Sequence, residues 1–196
     1  MARYSGKAMD KTCLSWYNLT IFYEGKVSNM RLSFLPSMII QSVTELTPQF
    51  LQSQNIRLLM LDFDNTIVPY TTNIPTEEME RWLQSLLASD IQLCVVSNSK
   101  RDRVKIFCGQ YGMDCITHAR KPFSRGIRAC LRKYGLQADQ CALAGDQIFT
   151  DTLGANCVGV RSILVEAIDN HNFWLKARHV LEKPFILIGK KTASKP

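Results

Sequence analysis

The sequence lacks the cysteine and histidine spacing that thiolate metal sites require. Its seven cysteines include no CxxC pair and mostly lie within apolar runs. Its three histidines, His118, His171 and His179, have no ligand-like spacing, so we expect them to be structural or exposed. This pattern indicates reduced core thiols in a reducing compartment and argues against metal binding by sulfur.

Long apolar runs are also missing. No stretch approaches the roughly 20 apolar residues that a helix needs to cross a bilayer, and the amino end lacks the compact hydrophobic block and cleavage site of a signal peptide. We therefore expect no transmembrane segment, and a protein that is cytoplasmic or peripheral to the inner face of a membrane.

The chain does have enough apolar residues for one core, since 46% of its 196 residues are hydrophobic and 21% are charged. We predict an N-terminal extension over residues 1–29 that is loosely ordered or packs late, one domain over 30–189, and a polar tail over 190–196. The net charge of +7 favours anionic partners such as phosphorylated metabolites, nucleic acid or acidic membrane. It does not choose among them, and the oligomeric state stays open.

Apolar runs alternate with amphipathic segments along most of the chain. Thr47 is suited to cap a short helix that Pro48 opens. Beyond it, strands are predicted at 56–62, 91–97, 115–118, 141–146 and 158–165, and helices at 75–89, 100–112 and 122–135. Strands and helices joined by short links predict an α/β fold, a Rossmann-like doubly wound parallel sheet covered on both faces.

Conspicuous polar side chains follow the first four predicted strands. They are Asp62 and Asp64 after the first strand, Ser97 and Asn98 after the second, Lys121 just beyond the third, and Asp146 and Asp151 after the fourth. Ligands of doubly wound sheets bind outside the carboxyl ends of the strands, so we expect the four segments to converge on one site.

The spacing of the first two aspartates needs an explanation of its own. Alternate residues of a strand share a face, so Asp62 and Asp64 would lie side by side and repel each other. A divalent cation, a substrate phosphate or a shared proton would offset that repulsion. D-x-D-x-T also begins a calcium-binding EF-hand loop, but that loop needs Gly at its sixth and Glu at its twelfth position, where this chain has Ile67 and Asn73.

These residue types match what the transfer of a phosphoryl group to water requires. Either Asp62 or Asp64 can attack as a nucleophile while the other serves as general acid and then base. Asp146 and an aspartate of the first loop can hold Mg²⁺, which prefers oxygen ligands. Lys121 and Ser97 can bind phosphate oxygens.

Several of these residues also have ordinary explanations when they are taken singly. Asp146 and Asp151 fit a turn and a helix cap, Ser97 and Asn98 fit a turn after a strand, and Lys121 fits a solvated surface position. Because they occur together with the D-x-D pair, the functional interpretation is favoured.

Four motifs in order make the chain similar to phosphatases of the haloacid dehalogenase (HAD) superfamily. They are DFDNT, VVSNS, RKP and GDQIFTD, within residues 56 to about 165. The resemblance implies a HAD-like core, a HAD-type phosphatase that hydrolyses phosphoric monoesters, and Mg²⁺ as the cofactor. It implies that Asp62 is the nucleophile and a metal ligand, and that Asp64 is the acid/base, whose backbone carbonyl also binds the metal. The further roles that it implies are a metal ligand at Asp146, organisation of the metal site by Asp151, and phosphate binding by Ser97, Asn98 and Lys121.

A wider pattern resembles the subfamily IIIA branch that includes phosphatidylglycerophosphate phosphatases. It consists of FLP and LTP before the first motif and GDQIFTD, GAN, GV and SILV near the end, although family members usually have a Gly-Asn pair where this chain has Ala155-Asn156. The resemblance implies a lipid phosphate as the substrate, with soluble nucleotide or sugar phosphates as the alternative. Short links between the motifs leave no room for the usual cap insertions, so we expect an open site with minimal or no cap.

Two surface features bear on a membrane partner. Arg125, Arg128 and Arg132 have helical spacing, which is typical of a solvated helix face and also of a rim that collects anionic substrate or lipid. The apolar segment over residues 34–40 is expected either to settle on a membrane interface or to be buried against the sheet.

Two other classes of function use some of the same features. A receiver-like signalling module also has a phosphorylated aspartate on a doubly wound sheet, but its acidic pair lies on the first strand and its phosphorylated aspartate on a later one. A nucleic-acid-binding domain would explain the charge, but the chain has no aromatic-basic signature. No specific nucleic acid is therefore expected.

Overall fold

The structure is a computed structural model that describes residues 18–23, 26–31, 33–99, 102–169, 182 and 184–188. Its strands are β1 (Asn18–Tyr23), β2 (Lys26–Arg31), β3 (Met38–Ile40), β4 (Leu58–Leu61), β5 (Gln92–Val96), β6 (Asp114–Ile116), β7 (Cys141–Gly145) and β8 (Arg161–Val165). Its helices are α1 (Pro48–Ser53), α2 (Glu77–Leu87), α3 (Arg103–Gln110), α4 (Arg125–Tyr134) and α5 (Leu153–Asn156). A π-helical turn, Ile148–Thr152, leads into α5.

Six of the strands form one parallel sheet in the order β3-β8-β7-β4-β5-β6. From β4 the chain runs outward through β5 and β6, and it then returns to the other side of β4 to add β7 and β8. The direction of winding therefore reverses between β4 and β7, which is where ligands of doubly wound sheets bind. This confirms the predicted fold class and places the candidate site at the ends of these two strands.

Helices cover both faces of the sheet. Successive residues of each central strand point to opposite sides, so each strand contributes to two cores. From β4, Leu59 and Leu61 join a core that includes α2 and α3, whereas Leu58 and Met60 join a second core that includes α4. All four side chains are fully buried. A strand buried on both faces explains the continuous apolar run that precedes Asp62.

The first two helices begin at threonines whose side chains cap them. Thr47 caps α1 by accepting from the backbone N–H of Phe50, with Pro48 at the first position. Thr76 caps α2 in the same way by accepting from Met79 N–H. Each cap satisfies an N–H that the helix itself leaves without a partner.

The segment over residues 34–40 is where the strand prediction was incomplete. It provides β3, which pairs with β8, so the sheet has six strands and not the five that were predicted. Met38 and Ile40 are buried there. Of the two expectations for this segment, burial in the sheet and contact with a membrane, the structure shows burial in the sheet. Asn156 fixes the chain just before β3 by donating to the carbonyls of Ser33 and Leu35.

The N-terminal hairpin bears on the predicted extension without deciding its limits. β1 and β2 pair along their whole length, so the boundary predicted after residue 29 falls inside β2. Residues 1–17 and 189–196, which include most of the predicted extension and the polar tail, lie outside the described residues. The domain boundaries stay a prediction. In the described part of the chain no helix is long and apolar enough to cross a membrane.

Candidate active site

Two neighbouring strands bring the first two acidic segments together. Asp62 follows β4 and Asp146 follows β7, and the two strands are paired, with Leu61 opposite Ala144. The pairing continues one residue further, where Asp62 N–H donates to the carbonyl of Ala144 at 2.9 Å. Both aspartates therefore lie at the same edge of the sheet, and both are buried.

Asp151 reaches the same point from the π-helical turn. Carboxylate oxygens of Asp62, Asp146 and Asp151 all lie within 4.8 Å of one another. Asp151 is only 1% exposed, and it is held by Gln147, whose backbone N–H donates to Oδ2 at 3.1 Å. A Cβ at Gly145 would collide with the Asp151 carboxylate. Glycine at the end of β7 is thus what lets Asp151 approach so closely.

Lys121 binds two members of this cluster. Its Nζ lies 2.6 Å from Asp62 Oδ1 and 2.6 Å from Asp151 Oδ1, and the lysine side chain is 1% exposed. The side chain of Asn98 binds the Lys121 backbone twice. Asn98 Oδ1 accepts from Lys121 N–H at 2.7 Å, and Asn98 Nδ2 donates to the Lys121 carbonyl at 2.9 Å. Arg120 just before it has a φ of +57°. The lysine is consequently aimed inward from a tightly held turn.

The charges of the cluster shift the pKa values of its members. Burial raises the pKa of Asp62 to about 6, although Lys121 opposes this shift and Asp151 adds to it. Burial alone would lower the pKa of Lys121, but Asp151 and Asp62 together raise it above its ordinary value. The lysine therefore stays charged, whereas the nearby carboxylates compete for its single positive charge.

Asp64 faces a different environment from Asp62. It lies in a tight turn in which Asn65 has a φ of +63°, a conformation that Asn tolerates better than most residues. The Asn65 side chain is buried and donates to the carbonyl of Asp169 at 2.7 Å. The Asp64 carboxylate lies 3.3 Å from Nη1 of Arg103, and its side chain is 15% exposed.

An open cleft of about 440 Å³ connects these groups to solvent. It is lined by Asp62, Asp64, Tyr70, Ser97, Asn98, Ser99, Lys121, Gln147 and Thr150. Ser97 is 2% exposed, and its Oγ accepts from Ser99 N–H at 3.0 Å. Five of the predicted residues thus line one cleft, and carboxylate oxygens of Asp146 and Asp151 lie within 4.8 Å of one in Asp62.

The acidic cluster is suited to a divalent cation. Three carboxylates converge, and Lys121 compensates for one of their negative charges. Burying like charges so close together is costly unless a cation or protons neutralise them. A hard cation with oxygen ligands fits this donor set, which offers neither sulfur nor imidazole.

Comparison with known proteins agrees with this geometry. A family model described as mitochondrial PGP phosphatase matches residues 24–168. The chain belongs to this PGP phosphatase family. It is accordingly a phosphatase of the HAD superfamily, and the acidic cleft is its candidate active site.

The chain is also similar to a curated protein, "Probable phosphatase YqeG" of Bacillus subtilis (strain 168). The two are 33% identical over 132 residues, which cover 67% of this chain and 77% of the relative.

Solved structures give more distant likenesses. The cobalt-bound deoxy-D-mannose-octulosonate 8-phosphate phosphatase of Haemophilus influenzae has a TM-score of 0.47 at 14% identity, covering 71% of this chain and 92% of that one. The 3-deoxy-D-manno-octulosonate 8-phosphate phosphatase of Yersinia pestis has a TM-score of 0.47 at 19% identity, covering 72% and 86%. Likenesses at this level carry no information on the substrate.

The structure adds residues that the motifs did not single out. Tyr70, Gln147 and Thr150 line the cleft, and Arg103 contacts Asp64. Gln147 and Thr150 lie inside the quoted GDQIFTD motif, so their position was a usable signal. Arg103 lies in a basic stretch, KRDRVK, in which nothing indicates that its side chain is largely buried.

Proposed function

We propose that this protein is a Mg²⁺-dependent phosphomonoester hydrolase that works through an aspartyl-phosphate intermediate and converts phosphatidylglycerophosphate to phosphatidylglycerol. The observation that carries the proposal is the placement of Asp62, buried beside Lys121 and next to Asp146 and Asp151, in the lining of an open cleft. The family match supports the choice of substrate.

Asp62 and Asp64 divide the chemistry between them. An Asp62 oxygen attacks phosphorus, the bond from phosphorus to the ester oxygen breaks, and Asp64 gives its proton to the leaving oxygen. Asp64 then takes a proton from water, the water oxygen attacks the aspartyl phosphate, and phosphate is released with Asp62 restored. The two aspartates both line the cleft but have different partners, since Asp62 binds Lys121 and Asp64 binds Arg103.

Asp62, Asp146 and the backbone carbonyl of Asp64 would hold the cation, with Asp151 organising the site. When bound, Mg²⁺ supplies positive charge that stabilises the transferring phosphoryl group. Burial raises the pKa of Asp62 to about 6, so a cation beside this carboxylate would also keep it ionised and able to act as a nucleophile.

Lys121, Ser97 and Asn98 are proposed to bind the phosphate. Lys121 offers a fixed ammonium group, and Ser97 offers a hydroxyl at the end of β5. The Asn98 amide already binds the backbone of Lys121 through both of its polar atoms, so its larger contribution is to position that lysine.

A lipid substrate is favoured by the surface next to the cleft. The turn that buries Lys121 leaves Phe123, two residues later, 74% exposed, with exposed Arg120 and Arg125 on either side. An exposed aromatic ring among arginines suits an anionic lipid surface, where each basic group contributes about 1 kcal/mol, or roughly fivefold in affinity. The described links between β4 and α2 and between β5 and β6 contain no cap domain that would exclude a lipid.

The substrate is tested by phosphate release from phosphatidylglycerophosphate in mixed micelles, beside soluble nucleotide and sugar phosphates. We expect the lipid to be preferred and Arg125→Gln to lower activity on anionic vesicles more than on a soluble aryl phosphate, with high salt removing the difference. Arg81→Gln is the matched control, since Arg81 is exposed on α2, which packs on the opposite face of the sheet from α4. Efficient turnover of a soluble phosphate with none of the lipid would leave the phosphatase assignment and remove the lipid one.

Asp62→Asn tests the chemistry separately from the substrate. Turnover should fall by several orders of magnitude on every substrate while the circular dichroism spectrum is kept, because the nucleophile is lost. A variant that retains a near-normal rate would contradict the aspartyl-phosphate route.

A further inference from the structure

Arg103 is the most heavily engaged side chain near the cleft that the proposed chemistry does not use. It lies at the first residue of α3, directly after the candidate phosphate-binding loop that follows β5. Its side chain is 10% exposed, unlike that of its neighbour Lys105, which is 60% exposed. Burying a guanidinium group is costly unless its donors are used, so the contacts of Arg103 identify what it does.

The guanidinium group binds the segment that follows the first acidic motif. Nη1 donates to the carbonyl of Tyr70 at 3.0 Å, and Nη2 donates to the carbonyls of Pro69 and Thr72 at 3.2 and 2.8 Å. Three carbonyls within four residues are thus bound by one side chain. Arginine suits this task because its donors have a fixed planar arrangement.

The same group also reaches the proposed acid/base. Nη1 lies 3.3 Å from Asp64 Oδ1, and the guanidinium carbon lies 5.0 Å from the centre of the Phe63 ring. Phe63 is fully buried and packs against Phe107 of α3. Arg103 therefore connects Asp64 to a rigid helix and, through Tyr70, to one wall of the cleft.

We propose that Arg103 is a positioning residue of this active site, which fixes the Asp64 carboxylate and the Tyr70 wall of the cleft in one arrangement. The proposal rests on the acid/base role proposed for Asp64. It does not depend on the lipid substrate. In this chain the segment over residues 69–72 occupies the link in which a cap insertion would lie, and Arg103 holds that segment against the protein.

The test is steady-state kinetics with soluble phosphate monoesters whose leaving groups range from good (aryl) to poor (alkyl). Arg103→Met should lower kcat by about 10- to 100-fold, the scale expected for a misplaced catalytic group. The loss should be larger for poor leaving groups, because these depend most on proton donation by Asp64. Lys105→Met, an exposed change on the same helix, should leave kcat and its leaving-group dependence as in the wild type.

Arg103→Lys separates the two contacts. A lysine can pair with Asp64 as a single charge but cannot bind three carbonyls at once. We expect the leaving-group dependence to return towards that of the wild type. KM should be raised in both Arg103→Met and Arg103→Lys, because both changes release the Tyr70 wall of the cleft. Unfolding midpoints check that each variant folds, and Arg103→Lys carries the test if Arg103→Met does not fold.

Asp64→Asn in the same assay separates this inference from the proposed function. If Asp64→Asn leaves the leaving-group dependence unchanged, the acid/base role fails and the inference fails with it. If Asp64→Asn steepens that dependence while Arg103→Met lowers all rates equally or not at all, the inference alone is overturned.

Discussion

Two lysines of this protein bind aspartates at nearly the same distance but in different surroundings. Lys121 Nζ lies 2.6 Å from Asp62 and from Asp151, and its side chain is 1% exposed. Lys133 Nζ lies 2.5 Å from Asp114, and the two side chains are 52% and 40% exposed. Distance alone would make the two ion pairs equivalent.

Burial makes their consequences very different. In water a surface pair gains little, because solvent screens the charges and both side chains lose freedom. In the interior an intact ion pair adds little net stability, because desolvation of the charges offsets their attraction. Removing one partner, however, leaves the other charge buried and uncompensated. Losing Lys121 should therefore cost much more stability than losing Lys133, because the aspartates that Lys121 binds are buried.

The largest effect is expected for Lys121→Met. Besides abolishing activity, it should lower the free energy of unfolding by about 3–5 kcal/mol, measured in EDTA, because Asp62 and Asp151 lose their shared cation. Burial already raises the pKa of Asp62 to about 6, and losing Lys121 raises it further. A carboxyl whose pKa is raised on folding destabilises the fold as pH rises, so the loss should be smaller at pH 5 than at pH 8. A loss independent of pH would contradict this account.

A smaller effect, of opposite sign in the metal-free protein, is expected for Asp146→Asn. Removing one of three converging carboxylates should raise the unfolding midpoint of the metal-free protein, because like charges repel. The same change should remove the stabilisation by Mg²⁺ that we expect for the wild type, about 2.7 kcal/mol when the ion is 100-fold above its Kd. Thermal unfolding with and without Mg²⁺ measures both. Equal stabilisation of the two proteins by Mg²⁺ would exclude Asp146 as a ligand.

The smallest effect is expected for Lys133→Met, the surface counterpart of Lys121→Met. The hydrogen bond from Lys133, followed by the one from Tyr134, lowers the pKa of Asp114. A lowered carboxyl pKa stabilises the fold above the unfolded value of about 4 and loses this contribution as pH falls through the folded value. Unfolding midpoints of variant and wild type should therefore differ slightly at pH 7 and converge as the pH falls well below 4. A change as large as that of Lys121→Met would refute the comparison.

The sequence predicted those parts of the fold in which several signals agree. β4, β5 and β7 are continuous apolar runs, and α2 has a cap at Thr76, acidic residues in its first turn and one apolar stripe. Their common edge then follows from the rule that parallel strands end together. Asp62, Asp146 and Lys121 could be brought to one place on that basis alone.

The short elements could not be predicted in this way. β3 has three residues and no alternation, so its pairing with β8 is decided by tertiary contacts that leave no local signal. Arg103 was missed for a related reason, since an arginine in a basic stretch is usually solvated and its burial depends on carbonyls more than 30 positions earlier in the chain. Local pattern identifies elements and motifs, whereas long-range hydrogen bonds decide which charged side chains are drawn inside.

The two ends of the sheet have a consequence for how this protein behaves at high concentration. The outermost strands, β3 and β6, have three residues each, whereas the central strands β4, β5 and β7 have four or five. An exposed strand edge is a template on which another chain can add, and the risk grows with the length of the edge. Edges this short offer few unpaired backbone groups, so the sheet that carries the acidic cleft is poorly suited to growing into an aggregate.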